Sequence, residues 1–221
     1  TASDYEDAIE SREGDIRKYQ ERLQEIKRQF GAELRAMGLE LSDEQVELLH
    51  QRTEGWVAGL QLAGCSLRGQ VDVSGFLASF SGSDRHVAEY LVDEVLGTQT
   101  PETQQFLLHT SILTRMCGSL CDALLESPQS SSSQDVLETL ARANLFVVQL
   151  DSQRRWFRYH HLFAELLRDR LARTETDLAE LHARASEWFE NTGLMEDAIE
   201  HAWNADQESR ALDMLESHLS A

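Results

Sequence analysis

The 221 residues contain two prolines, three cysteines, two lysines and no apolar run of eighteen residues. Each scarcity excludes something. Without a long apolar run no transmembrane helix can be written, so no membrane partner is expected. Three cysteines are too few and wrongly spaced for a disulfide framework. Cys117 and Cys121, four apart on an expected helix, match neither a zinc nor a redox pattern. They read as buried, reduced thiols of a cytoplasmic protein. Basic residues are scarce as well: 20 Lys and Arg face 39 Asp and Glu, a net charge of −19. Such a surface repels a nucleic-acid duplex, so direct nucleic-acid binding by this chain is not expected. The first residue is Thr1, no charged-then-apolar leader follows it, and the natural chain is expected to extend further.

The remaining composition, 41% hydrophobic and 27% charged, is that of a globular chain, and its dominant period is helical. The fold class expected is mainly α: an amphipathic helix at 1–37, a small helical domain at 38–97, a winged-helix-like domain at 98–173 and the start of a tetratricopeptide-like array at 174–221. In the first segment Ile9, Ile16, Leu23 and Phe30 recur every seven residues and make an apolar seam. That seam needs cover, either from the rest of the assembly or by self-association through 5–34. Glu10, Glu13 and Asp15 could match basic side chains elsewhere. Both lysines, Lys18 and Lys27, lie here, and the rest of the chain uses arginine only.

Ser42-Asp43-Glu44-Gln45 reads as a capping box. A second helix is expected over 56–67, with Gly59, Ala63 and Gly64 as a close-packing face. Helices over 73–80 and 85–96 follow. Thr100-Pro101 opens another helix, with a hydroxyl cap and proline at the first helical position. Helices over 119–126 and 134–143 flank a serine-rich loop. Residues 146–150 and 155–159 alternate around a polar turn and form the one hairpin. Three helices, a hairpin and a further helix are the order of a winged-helix unit.

From Asp177 onward, paired helices with alanines at the crossings and tight Asn or Gly turns repeat near every 34 residues. Trp188, Phe189 and Trp203 are expected in the repeat core. A stack this short needs further neighbours, so continuation past Ala221 is expected.

Five blocks carry a family resemblance: Arg52-Thr53-Glu54-Gly55-Trp56 to Ala63; Phe80-Ser81-Gly82-Ser83 with His86 to Leu96; Phe106 to Leu113; Leu140 to Phe146; and Arg158-Tyr159-His160-His161-Leu162-Phe163. In this order, over about 37–221, they resemble the MalT-like, ATP-dependent LuxR-family transcriptional regulators. The resemblance implies a signal-transduction ATPase whose P-loop domain, effector-sensing repeats and DNA-reading helix-turn-helix flank the part seen here. No G-x-x-x-x-G-K-[ST] occurs in this chain, so it is expected neither to be an enzyme nor to hold a cofactor itself. ATP or ADP would belong to the full-length relative.

The same resemblance gives Gln61, in Gly59-Leu60-Gln61-Leu62-Ala63, the place of a proline that packs near adenine in related ATPases. It gives His160 the place of the phosphate-sensing histidine of an M-H-D motif, with His161 where the aspartate would stand. Independently, Arg154, Arg155 and Arg158 form a basic cluster on the wing. Helix 134–143 carries Asp135 and Glu138 against one Arg142, the wrong sign for a DNA groove. The cluster is therefore read as an interaction site for a missing domain or another protein. Two functions follow: the non-catalytic signal-transmission region of such a regulator, or a stand-alone helical adaptor that binds a protein or peptide.

Overall fold

The computed structural model describes residues 34–67, 72–125, 132–143 and 145–219, together with 17, 18, 21, 25, 28, 29, 31 and 32. The described positions among 17–36 are helical. The heptad seam of Ile9, Ile16, Leu23 and Phe30, and the acids Glu10, Glu13 and Asp15, lie outside the described residues. The chain forms two units, Thr1–Val87 and Ala88–Ala221. No described helix is long and apolar enough to cross a membrane.

The first unit contains α1 (Asp43–Thr53), α2 (Val57–Leu67) and α3 (Val73–Ser79). The capping box at α1 is complete. Ser42 Oγ accepts from Gln45 N–H and the Gln45 side chain accepts from Ser42 N–H. Leu34, Leu49, Leu60, Leu67, Leu77 and Phe80 fill the core. Gly64 allows the close approach its sequence position suggested: a Cβ there would lie 2.5 Å from Met37 Cε. Helix α4 (Arg85–Tyr90) begins at the end of the first unit; in the second unit it continues into a π-helical turn, Leu91–Leu96, closed by Gly97 N–H donating to Val92 O at 2.7 Å. The sequence pattern predicts one regular helix here; the wider turn is the difference.

The second unit carries α5 (Pro101–Thr110), α6 (Gly118–Leu124), α7 (Ser133–Arg142), β1 (Val147–Gln149), β2 (Phe157–Tyr159) and α8 (His161–Leu171). This is the winged-helix order. Thr100 caps α5 by accepting from Thr103 N–H, with Pro101 at the first helical position. β1 and β2 are antiparallel, pairing Val147 with Tyr159 and Gln149 with Phe157. Asp151 shapes the turn, its carboxylate accepting from Arg155 N–H (2.9 Å) and Trp156 N–H (3.2 Å). Met116 adds a bridge on the other side of β2, exchanging two 2.8 Å backbone bonds with Phe157. Phe106, Leu120, Leu137, Phe157, Leu162 and Phe163 are buried in its core.

Three helices complete the unit: α9 (Leu178–Asn191), α10 (Met195–Asn204) and α11 (Glu208–Leu219). Ala185, Ala198, Ala202 and Ala211 are buried and let the axes approach. Helix α9 also docks on the winged helix, where Arg184 Nη1 donates to Leu124 O at 3.3 Å. Two expectations need correction. Phe189 is buried, but Trp203 is 52% exposed, because it follows Ala202 around to the outer face of α10. Of the cysteines only Cys121 is buried; Cys117 is half-buried and Cys65 exposed. Burial, first of all, pushes the Cys121 thiol well above its ordinary value.

Candidate functional site

His160 stands where β2 ends and α8 begins, as the N-cap residue of that helix. Its carbonyl accepts from Ala164 N–H at 2.9 Å, and its imidazole makes no capping bond. The ring is held from both sides, with Phe146 meeting it edge-on at 5.8 Å and His161 stacking on it at 4.9 Å and 18°. His160 N–H donates to Phe146 O at 2.8 Å. Phe146 pays for this clasp in backbone strain. Its φ of +57° is unfavourable for a bulky side chain, and such strain persists only where the surroundings enforce it. The enforcement is visible: the Phe146 ring also packs on Phe163 at 5.4 Å.

Behind His160, Tyr159 is buried and its hydroxyl lies 2.6 Å from Thr110 Oγ1, which itself donates to Phe106 O. Burial raises the Tyr159 hydroxyl far above its usual range, so it remains a proton donor. The hairpin is thereby anchored to α5. A second anchor is Arg168, whose Nε donates to Ser111 O at 2.8 Å. His160 thus sits at 7% exposure on a rigid support, at the positive end of an eleven-residue helix.

The structure brings His160 and His161 together but distributes the other sequence candidates. Gln61 is exposed on α2 of the first unit. Arg154 and Arg155 are exposed on the wing turn. Arg158 is half-buried within β2 and donates to Tyr159 O at 3.1 Å. Arg155 borders a cavity of about 330 Å3 that is also lined by Cys117, Asp122, Gln134 and Trp156. Helix α7 exposes Asp135 and pairs Arg142 with Glu138 at 3.9 Å.

A second histidine pair, with no motif of its own in the sequence, lies between the helices that follow the winged helix. His182 on α9 and His201 on α10 meet Nδ1 to Nδ1 at 2.8 Å. His201 also stacks on Phe189 at 5.4 Å and 25°. Burial, then the neighbouring His182, lowers His201 to about 4, with Asp197 opposing; burial lowers His182 too. Both rings are therefore neutral at pH 7, one donating and one accepting. The turn near Thr192 held the signal. The two helices run antiparallel from it, and Ser186 Oγ reaching Ala198 O fixes the register that sets 182 against 201.

These elements define the class: a winged-helix domain running directly into a stack of antiparallel helical hairpins. Residues 92–179 match the family described as MalT winged helix domain. The chain is 38% identical over 182 residues to the serine/threonine-protein kinase PknK of Mycobacterium tuberculosis strain H37Rv, covering 82% of this chain and 16% of that protein. It is 36% identical over 169 residues to the HTH-type transcriptional regulator MalT of Cronobacter sakazakii (74% and 18%) and 35% identical over 176 to that of Yersinia pestis (77% and 19%). It spans less than a fifth of the length of these relatives. The chain is MalT-like over most of its length, and residues 92–179 are similar to a MalT winged-helix domain.

Proposed function

We propose that this chain is the signal-transmission region of a MalT-like, ATP-dependent transcriptional regulator. It couples the nucleotide state of a P-loop ATPase domain, and effector capture by helical repeats, to a DNA-binding output supplied elsewhere in a longer protein. No catalytic step is assigned to the chain itself, and ATP or ADP belongs to the ATPase domain. The observation that supports this reading best is His160: a histidine clamped by a strained Phe146 at a helix N-terminus, in a MalT-type winged helix. An imidazole so placed can donate to a phosphate oxygen. Gln61 would approach the adenine. Arg154 and Arg155 would face a neighbouring domain, and the place of action would be the cytoplasm.

The match to PknK favours a second reading of the output, in which the same region serves a kinase. A stand-alone adaptor for a protein or peptide is the remaining alternative. Isothermal titration with ADP and magnesium separates them. The chain alone should give no heat, because it lacks the P-loop amides and lysine, whereas the full encoded protein should bind. Micromolar binding by the chain alone, or none by the full protein, refutes the proposal. Gel shifts with the full protein, and kinase assays on it, then distinguish the two outputs.

A further inference from the structure

Arg115 lies on the short segment beside β2 and touches two different parts of the second unit. Its guanidinium carbon is 4.8 Å from the centroid of the Trp156 ring on the wing. Its Nη2 is 2.7 Å from Asp197 Oδ2 on α10. Trp156 in turn meets Trp188 of α9 edge-on at 6.3 Å and 80°. A planar guanidinium can lie against a ring and donate in its own plane at once. The wing is therefore gripped by both helices of the first hairpin.

The residues that follow these contacts are locked as well. Met116, next to Arg115, exchanges two backbone bonds with Phe157, next to Trp156. From Trp156 the chain runs through β2 to His160 without an intervening joint, about 13 Å of extended backbone. Phe157 is buried, Tyr159 is bonded to Thr110, and His160 N–H is bonded to Phe146 O.

We propose that β2 is a rod linking the first helical hairpin to His160, and that Arg115 is the positioning residue that fastens its far end to Asp197 and Trp156. A displacement of α10 then reaches the His160 ring through the strand. The use of this linkage in signalling rests on the function proposed above; the linkage itself does not.

The test follows the histidine ring resonances of this chain by NMR, with no nucleotide present. Asp197→Asn should shift the His160 ring signals, although 37 residues separate the two positions. His201 should shift in any case, because Asp197 acts on it directly; this confirms that the change is felt locally. Arg115→Ala, which removes the contacts to both Asp197 and Trp156, should shift the His160 signals at least as far. Glu190→Gln, which breaks a 2.6 Å pair with Arg210 between α9 and α11, should leave them in place. Trp188→Phe is a second handle on the same grip and should shift them. His160 signals unmoved by both Asp197→Asn and Trp188→Phe, or moved as far by Glu190→Gln, overturn the proposal. Because nucleotide is absent, these results stand or fall separately from the ADP titration.

Discussion

Acidification should loosen the α9–α10 hairpin through His201. In the folded chain His201 is held at about 4 by burial and by His182, against an ordinary value of 6.5. The unfolded chain therefore binds more protons between these two values. The associated stability is fully present above pH 6.5 and drains away as pH falls toward 4. From pH 7.5 to 5.0, one group with this displacement loses about 2 kcal/mol. His182, lowered as well, adds loss in the same direction. In a unit of residues 88–221, about 2 kcal/mol corresponds to roughly 6–10 °C in melting temperature. The assay is thermal unfolding by circular dichroism at the two pH values, for the parent chain and for His201→Phe. Phenylalanine can retain the stack on Phe189 but cannot take up a proton. The variant should lose most of the pH-dependent drop. A parent chain whose melting is flat between pH 7.5 and 5.0, or a variant that keeps the full drop, refutes the assignment of a neutral, buried His201 ring.

Three further outcomes follow from the packing. Gly118→Ala would place a Cβ 2.8 Å from Gln134 Cβ and 3.0 Å from its backbone nitrogen, forcing α6 and α7 apart; a loss of about 1–3 kcal/mol is expected in denaturant titration. Tyr159→Phe removes the hydroxyl that reaches Thr110 while leaving Thr110 bonded to Phe106 O, and should cost about 1 kcal/mol in the same measurement. Thiol labelling should proceed with Cys65 first, Cys117 next and Cys121 only on unfolding, because Cys121 is buried and its thiolate is disfavoured.

Features encoded within a few residues were legible in the sequence. The Ser42 capping box, the Thr100-Pro101 start and the β-rich runs around Asp151 each carry their own local chemistry, and each forms in the structure. His160 was legible through the motif around it, but its clasp was not. A phenylalanine at φ +57° has no local signature, and only the packing on Phe163 explains it. The Arg115 grip was hidden for a different reason. Residues 113–117 carry no local signal of their own, and their role depends on the pairing of Met116 with Phe157, about forty residues away. Trp203 was misplaced because an aromatic at helical spacing suggests a core position, while the crossing at Ala202 turns it outward. The His182–His201 contact required the register of a hairpin, which follows only from where its turn is set.

The role proposed for His160 is to report nucleotide state to the rest of the chain. Its most direct test is the dissociation rate of a fluorescent ADP analogue from the full encoded protein, measured for the parent and for His160→Ala. Loss of one charge-assisted hydrogen bond of about 1.5–3 kcal/mol predicts release faster by roughly ten- to a hundredfold. An unchanged release rate from a folded variant would contradict the account.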